Sequence, residues 1–342
     1  MTHLDAAVLQ HGGALDAAIA RFGGHREEWL DLSTGINPAP PPLPPLSPSV
    51  WQRLPEAALE RRAIEAARTA YDAPPEAGIV PAPGTQALIA VLPSVLPPCH
   101  VAILEPTYSG HRTGFETAGH GVTGFTSLDA VPAHATVVVV VNPNNPDGRT
   151  CEPADLLALA DRLAARGGLL VVDEAFADAD PAHSVAGATG RPGLLVYRSF
   201  GKFFGLGGLR LGFALTTPDL AAQLRARLGA WAVSGPALAI GAGWLGDAKH
   251  RADVRASIAR QHALLAETLA AAGLETVGGT SLFQTVRHPG AEALFGALCR
   301  RHILTRPFAY RSDWLRIGNA ADAAAARRLG AALDAAFGEI AA

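Results

Sequence analysis

Short apolar runs alternate with a helical pattern through the middle of the chain, and this alternation constrains the fold more than any other feature. Short runs of β-branched or apolar residues at 100–104, 136–141, 169–173 and 194–198 predict strands, and residues 153–166 predict an amphipathic helix between two of them. Strands that are apolar along their whole length are typical of a parallel sheet buried on both faces. We therefore expect an α/β fold with a mainly parallel central sheet.

The flanking segments predict further domains. A proline-rich stretch from Ile36 to Pro48 predicts a stiff, extended connector. From Pro218 onward helical periodicity dominates, with weaker strand patterns at 283–287 and 314–317 and an alanine-rich terminal helix beginning near Ala320. We expect an N-terminal arm over residues 1–40 that joins the small domain, a large ligand-binding domain over 41–220 and a smaller α+β domain over 221–342.

Charge and cysteine usage exclude several classes of protein. The formal net charge is −3 with both signs interspersed, so no basic stripe for nucleic acid is present. Cys99, Cys151 and Cys299 are far apart and form no C-x-x-C pair, which predicts neither disulfides nor a metal site. No signal peptide or membrane-length apolar run is visible. These features predict a soluble protein of the reducing cytoplasm.

The glycine-rich stretch at 199–212 resembles nucleotide-binding loops but fails both common patterns. A Walker loop would need Gly at Val196 and Ser or Thr at Phe203. A G-x-G-x-x-G series that starts at Gly205 meets Arg210 where the last glycine is required. We therefore expect this loop to serve a different chemistry.

Lys202 lies in this loop among glycines and phenylalanines, directly after a predicted buried strand. Apolar surroundings favour the neutral, nucleophilic form of an amine, which suits formation of an imine with a carbonyl group. The alternative is an ordinary exposed lysine in a flexible loop, and Lys202 alone does not decide between them.

Two further polar residues follow predicted strands. Asp173 ends the run at 169–173, where an aspartate at the carboxyl end of a parallel strand faces the ligand crevice and could keep a pyridinium nitrogen protonated. Asn145 lies in a turn rich in proline and glycine at 142–148 and could donate a hydrogen bond to a phenolic oxygen. The alternatives are a helix cap for Asp173 and a plain turn for Asn145.

Upstream residues complete a candidate cofactor site. Gly84 and Thr85 open an apolar helical run, and a helix N-terminus preceded by glycine suits a phosphate group, with Arg210 and Ser199 as further ligands. Tyr108 follows another strand and offers a flat face for a pyridine ring. A simple helix start and a core tyrosine are the alternatives.

Taken in chain order, these residues resemble the fold type I enzymes that depend on pyridoxal 5′-phosphate (PLP), the aspartate aminotransferase superfamily. The resemblance implies a PLP-dependent transferase-like fold, PLP as cofactor, Lys202 and Asp173 as catalytic residues, and a homodimer. It is carried by Gly84-Thr85, Tyr108, Asn145-Pro-Asp-Gly148, Asp173, Ser199-x-x-Lys202 and Arg210.

Within that superfamily the chain resembles the branch that contains histidinol-phosphate aminotransferase and L-threonine-O-3-phosphate decarboxylase of cobalamin synthesis. His11-Gly12-Gly13 and the segments at 31–38 and 198–205 favour the decarboxylases. The resemblance implies loss of CO₂ from a phosphorylated amino acid, with transamination of a similar substrate as the alternative. A non-catalytic PLP-binding regulator is a third interpretation, disfavoured because Lys202, Asp173 and Asn145 are all present.

The same resemblance implies the substrate contacts. Arg316 would bind the substrate carboxylate, since arginine presents a planar fork to that group, and Arg306 would bind the phosphate. His11 and Gly12 resemble an arm that closes over the phosphate, and Asn37 lies where relatives line the pocket. For both arginines the alternative is a surface ion pair.

Two positions depart from the family pattern. Many relatives have tyrosine three residues after the aspartate, where its hydroxyl contacts the cofactor oxygen, but this chain has Phe176. Many also have an Arg-Tyr-Pro stretch whose tyrosine reaches the partner subunit's cofactor, whereas this chain has Leu54 in Arg53-Leu54-Pro55. We expect the loss of one hydrogen bond to the cofactor at Phe176, and at Leu54 the loss of the contact with the partner subunit's cofactor.

Overall fold

The computed structural model describes residues 12–341, so the predicted site residue His11 lies outside the described part of the chain. Its strands are β1 (Leu30–Asp31), β2 (Gly78–Ala82), β3 (His100–Leu104), β4 (Gly121–Phe125), β5 (Val137–Val141), β6 (Leu169–Asp173), β7 (Leu194–Ser199), β8 (Gly212–Thr216), β9 (Glu275–Thr280), β10 (Phe283–Arg287), β11 (Ile303–Leu304), β12 (Arg306–Phe308) and β13 (Arg311–Gly318). Its α-helices are α1 (Leu15–Phe22), α2 (Pro48–Gln52), α3 (Ala57–Ala70), α4 (Thr85–Val95), α5 (Gly110–Thr117), α6 (Pro153–Ala164), α7 (Phe200–Phe203), α8 (Pro218–Leu228), α9 (Gly235–Gly246), α10 (Ala248–Ala271), α11 (Ala291–Cys299) and α12 (Ala323–Ala341).

The backbone divides into two compact units. The larger contains Pro40–Asn145 and Arg149–Val254, and the smaller contains residues 12–39, 146–148 and 255–341 of the described chain. The helices α8 and α9 therefore fall in the larger unit, whereas the sequence predicts a boundary near residue 220. This difference arises because α9 and α3 pack together within the larger unit. The expected three-part division stays a prediction.

A seven-stranded sheet in the order β2-β8-β7-β6-β5-β3-β4 forms the centre of the larger unit. Strands β3 to β7 are parallel where they pair, and β8 is antiparallel to both its neighbours. The mainly parallel α/β fold is confirmed. Strands β3 and β6 have the predicted bounds, and β5 and β7 differ from prediction by one residue each at one end.

Burial explains which strands the sequence reveals. All five residues of β5 are valines, and all are buried. A strand covered on both faces therefore shows a continuous apolar run. The edge strands β2 and β4 contain glycine or proline, which edges tolerate, and neither was predicted. None of the helices over residues 12–341 is long and apolar enough to cross a membrane.

The smaller unit is built on an antiparallel sheet in the order β12-β13-β10-β9, beside a parallel pair of β1 and β11. Strand β10 has its predicted bounds. Strand β13 extends beyond the predicted residues 314–317 at both ends, and its start was not predicted because residues 311–313 are polar and not buried. The terminal helix α12 is present, as expected. Side chains of α1, α11 and α12 form one apolar core with this unit's strands.

Candidate active site

Several predicted residues lie at the carboxyl edge of the larger sheet. Asp173 is the last residue of β6, Ser199 is the last of β7, and Lys202 lies in α7 directly after it. Asp173 pairs in register with Val141 of β5 and Tyr197 of β7. Because parallel strands end at the same edge of a sheet, this is where ligands of such folds bind.

Asp173 is a buried carboxylate held by two hydrogen bonds. Its Oδ2 lies 2.9 Å from Nε2 of His111, and its Oδ1 accepts a hydrogen bond of 3.1 Å from the amide of Ala175. Burial acts to raise the pKa of Asp173, but the His111 hydrogen bond and the charges of His111 and Lys202 outweigh it and leave that pKa lowered. The carboxylate is therefore ionised at neutral pH.

His111 is the residue that sequence reasoning missed. It lies at the start of α5, is almost fully buried, and stacks on the ring of Tyr197 with centroids 6.3 Å apart and planes 17° apart. A histidine three residues after Tyr108, at the first turn of a helix that follows a central strand, was the available signal. Its partner Asp173 is 62 residues away, so no local pattern links the two.

Lys202 lies in the apolar setting expected from the sequence. Its neighbours Phe200 and Phe203 are buried, and its Nζ lies 5.0 Å from the centroid of the Phe176 ring. The amine of Lys202 thus lies over the aromatic ring of Phe176, where many relatives have a tyrosine with a hydroxyl. The departure at this position is a loss of a hydrogen-bond donor, not a loss of packing.

Two glycines shape a cradle at the start of α4. Gly84 precedes the helix with φ +79°, and a Cβ atom there would lie 2.7 Å from Nη2 of Arg210. A Cβ atom at Gly212 would lie 2.7 Å from the amide nitrogen of Thr85. The glycines therefore allow the Arg210 guanidinium and the backbone of β8 to approach the N-terminus of α4 closely, and a guanidinium beside a helix N-terminus is a combination that suits a phosphate group.

The loop that carries Asn145 is braced by its neighbours. The amide of Asn144 donates to the carbonyl of Arg149 at 2.9 Å, and its side chain bonds Thr107 at 2.5 Å and the Pro106 carbonyl at 2.9 Å. The side chain of Asn142 in turn bonds the amide of Cys151 at 2.8 Å. The predicted turn is thus a rigid one.

Tyr108 lies beside these groups in the larger unit. Its hydroxyl donates to Oε1 of Gln86 at 2.8 Å, and its ring meets the His111 ring edge-on with centroids 6.2 Å apart. Burial and the charge of Asp173 raise the pKa of Tyr108, with Arg210 acting in the opposite direction. The tyrosine therefore stays neutral and keeps its aromatic face partly accessible.

The predicted substrate residues that the structure describes belong to the smaller unit. Arg316 is buried, which excludes a surface ion pair, and its Nη2 donates to the Ser33 carbonyl at 2.6 Å. Burial and the positive charge of Arg306 lower the pKa of Arg316 to about 10. A Cβ atom at Gly12 would lie 3.3 Å from Nη2 of Arg316. Two cations and a glycine thus adjoin one another.

Asn37 is buried in the same unit. Its Oδ1 accepts hydrogen bonds from Nε2 of Gln261 at 3.2 Å and from the amide of Ala39 at 3.0 Å. Gln261 also bonds Ser257 on the same helix. The carbonyl end of the amide is therefore engaged within the protein, which fixes the orientation of Asn37.

The fold and the lysine and aspartate at its sheet edge define an α/β enzyme with a two-unit architecture. The chain belongs to the family of aminotransferases of class I and II, whose model matches residues 55–333. It is 49% identical to a threonine-phosphate decarboxylase of Sinorhizobium sp., over 96% of this chain and 98% of that protein. It is 43% identical to the threonine-phosphate decarboxylase of Pseudomonas aeruginosa, over 95% and 97%.

A solved structure has the same fold at lower identity. The histidinol-phosphate aminotransferase of Sinorhizobium meliloti, in complex with pyridoxal-5′-phosphate, superposes with a TM-score of 0.79 and 22% identity over 99% of both chains. At this identity the likeness supports the fold and not the substrate.

Proposed function

We propose that this chain is a PLP-dependent decarboxylase that converts L-threonine O-3-phosphate to (R)-1-amino-2-propanol O-2-phosphate in cobalamin biosynthesis. The observation that carries this proposal is the similarity to two curated decarboxylases over nearly the full length of each. Enzymes of this family depend on PLP. The substrate class follows from the names of these relatives, and the residues of both units are consistent with it.

The residues of the larger unit fit the cofactor. The Arg210 guanidinium beside the N-terminus of α4 supplies positive charge and hydrogen-bond donors for its phosphate, and Asp173 supplies the buried carboxylate for its ring nitrogen. When bound, the cofactor withdraws electrons from a bond at the substrate Cα. The residues proposed to hold it are Gly84, Thr85, Tyr108, Asn145, Asp173, Ser199, Lys202 and Arg210.

Asp173 and Lys202 have separate roles in this proposal. The ionised carboxylate of Asp173, oriented by His111, accepts a hydrogen bond from the protonated ring nitrogen and keeps the proton there. Lys202 would attach the cofactor in the resting enzyme, and after its release the ammonium form of Lys202 would give its proton to Cα once CO₂ has left, becoming the neutral amine. Phe176 beside Nζ helps to exclude water from this proton transfer.

The smaller unit supplies the anion-binding groups. Arg316 binds the substrate carboxylate and Arg306 the phosphate, and the anions offset both the burial of Arg316, which is the larger cause of its lowered pKa, and the repulsion by Arg306. Gly12 leaves space beside Arg316, and Asn37 lines the pocket. We retain His11 as a phosphate-binding residue on the basis of the family resemblance alone.

Transamination of histidinol phosphate is the second candidate, because curated histidinol-phosphate aminotransferases are 32% identical over 60% of this chain and 29% identical over 84% of it. It would use the same cofactor residues but remove a proton from Cα instead of CO₂. Full-length identity of 49% to a decarboxylase, against 32% over part of the chain to a histidinol-phosphate aminotransferase, favours decarboxylation.

We further propose that the enzyme is a homodimer of the cytoplasm. Large apolar side chains of the larger unit are more than half exposed around one groove, and an exposed apolar patch of this kind is typical of a subunit interface. They are Leu43, Trp51, Leu54 and Trp231. Light scattering on the purified protein tests the proposed dimer; a monomer at micromolar concentration would contradict it.

The free Cys99, Cys151 and Cys299 are consistent with a reducing compartment.

The decisive experiment incubates PLP-loaded protein with L-threonine phosphate and measures CO₂ and 1-amino-2-propanol phosphate. A parallel reaction contains histidinol phosphate and 2-oxoglutarate. We expect CO₂ and the amino alcohol phosphate from the first reaction. Glutamate from the second, without CO₂ from the first, would assign the chain to the aminotransferases.

A further inference from the structure

A short piece of chain, Pro146–Gly148, belongs to the smaller unit although its neighbours on both sides belong to the larger one. Its anchor is Thr285 on β10, a fully buried residue whose Oγ1 donates a hydrogen bond of 2.5 Å to the carbonyl of Pro146. A buried hydroxyl is costly unless it is paired, and the Pro146 carbonyl is its partner here. The bond therefore ties this segment to β10.

Glycines make the approach of this segment possible. A Cβ atom at Gly278 would collide with the carbonyl of Asp147, and one at Gly148 would collide with the carbonyl of Gly279. Gly148 also has φ +69°, which disfavours any other residue. The segment thus lies directly on the backbone of β9, and Thr285 fixes it there.

Thr285 also shares a row with the proposed substrate residues. In the sheet register Thr285 pairs with Arg316 of β13, and Arg316 pairs with Arg306 of β12. Residues that pair directly across antiparallel strands have their side chains on the same face. The hydroxyl that holds Pro146 therefore stands on the face of the sheet that carries both arginines.

We propose that Thr285 is a positioning residue for Asn145. This inference rests on the proposed function, in which Asn145 donates a hydrogen bond to the phenolic oxygen of PLP. Asn145 lies between two anchored neighbours: Asn144, bonded to Arg149 and Thr107, and Pro146, bonded to Thr285. Loss of the hydrogen bond to Thr285 frees the backbone on one side of Asn145 and weakens the hydrogen bond from Asn145 to the phenolic oxygen.

The test compares Thr285→Val with Thr285→Ser, which keeps the hydroxyl, and with Thr216→Val as the matched control. Thr216 is also fully buried on a strand and donates to a backbone carbonyl, that of Leu194, at 2.9 Å. Two quantities are measured. The first is the pH midpoint at which the visible absorbance of the PLP-loaded protein changes. The second is amide hydrogen exchange over residues 142–150 in cofactor-free protein.

We expect Thr285→Val to raise the midpoint by about half a pH unit, a factor of about three, because a donor to the ionised oxygen is weakened. Exchange at Asp147 and Gly148 should also increase. Thr285→Ser should restore both quantities, and Thr216→Val should change neither. Should the valine variant fail to fold, Thr285→Ala carries the same expectations.

A wild-type midpoint and wild-type exchange in Thr285→Val, or an equal shift in Thr216→Val, would overturn the inference and leave the proposed function intact. Absence of a pH-dependent visible absorbance in the PLP-loaded wild type would instead overturn the cofactor assignment, and this inference with it.

Discussion

The two units treat buried charge in opposite ways. In the larger unit, Asp173 is surrounded by His111 and Lys202, so its negative charge is compensated before any ligand arrives. In the smaller unit, burial, which is the largest influence, and the charge of Arg306 lower the pKa of Arg316 to about 10. A carboxylate beside cationic groups suits a resident cofactor with a protonated ring nitrogen, and two neighbouring guanidinium groups suit an anion that comes and goes. Each prediction below tests one side of this difference.

Removal of the amine should have the largest effect. Lys202→Ala should lower decarboxylation by at least about 10³-fold, because both covalent attachment and proton delivery are lost. The fold should survive, since the side chain is only half-buried. Cofactor absorbance and CO₂ release measure the effect, and circular dichroism checks the fold. Retained cofactor absorbance would show that another lysine is attached.

Removal of each arginine in turn should show which of the two substrate anions it binds. Arg316→Met should lower kcat/KM for L-threonine phosphate by roughly 100-fold, the value of a buried charge-assisted hydrogen bond. Arg306→Met should cost a similar factor with L-threonine phosphate but little with L-threonine, which has no phosphate. Equal losses on both substrates in Arg306→Met would contradict the assignment of Arg306 to the phosphate.

The pairing of Arg306 with Arg316 across β12 and β13 also predicts a gain in thermal stability when one arginine is removed. Because Arg306 lowers the pKa of Arg316, its charge opposes folding of the ligand-free smaller unit. Arg306→Met should therefore leave the melting temperature unchanged or raise it while activity falls, a trade-off typical of binding sites. Thermal unfolding with and without L-threonine phosphate measures this. A clear fall in the ligand-free melting temperature would mean that Arg306 is structural.

The cofactor cradle can be tested with two glycines that both have positive φ. Gly84 and Gly119 have φ +79° and +84°, and alanine should cost about 1–3 kcal/mol in a backbone region of this kind. Only at Gly84 would the new Cβ approach Arg210, whereas Gly119 has open space around it. Gly84→Ala should weaken PLP binding by about tenfold or more in an equilibrium titration, and Gly119→Ala should not. Equal affinities would remove the phosphate from this cradle.

The sequence predicts the larger unit well because its strands are buried on both faces. Four central strands and the polar residues at or after their carboxyl ends, including Asp173, Asn145 and Lys202, are visible as local patterns. The antiparallel β8 and the edge strands were missed, since short runs with glycine or proline carry little periodicity. The roles of the site residues stay predictions that the experiments above address.

Long-range pairs were not predictable in this way. His111 and Asp173 are joined only by the fold, and so are Thr285 and Pro146, which are 139 residues apart. A single sequence shows residue types along a line, and a hydrogen bond between distant strands leaves no periodic trace in it. The register of the smaller sheet, which sets Arg306, Arg316 and Thr285 in one row, has the same origin.

The compensation of charge at Asp173 gives the smallest expected effect and the sharpest test of the comparison between the units. The folded-state pKa of Asp173 is lowered, so its ionised form contributes stability above the unfolded pKa, and this contribution is lost as the pH falls through the folded pKa. His111→Phe keeps a ring against Tyr197 but removes the hydrogen bond and the charge. Burial, the largest influence, then raises the pKa of Asp173.

We therefore expect the acid limb of PLP retention in His111→Phe to move to higher pH by about one unit, measured between about pH 4 and 7. His111→Gln, whose amide can still donate to Asp173, should shift it less. An unchanged acid limb in His111→Phe would mean that Lys202 and the Ala175 amide suffice to keep Asp173 ionised. The negative charge of Asp173 would then be compensated without His111. The contrast with the paired Arg306 and Arg316 of the smaller unit would depend on Lys202 alone.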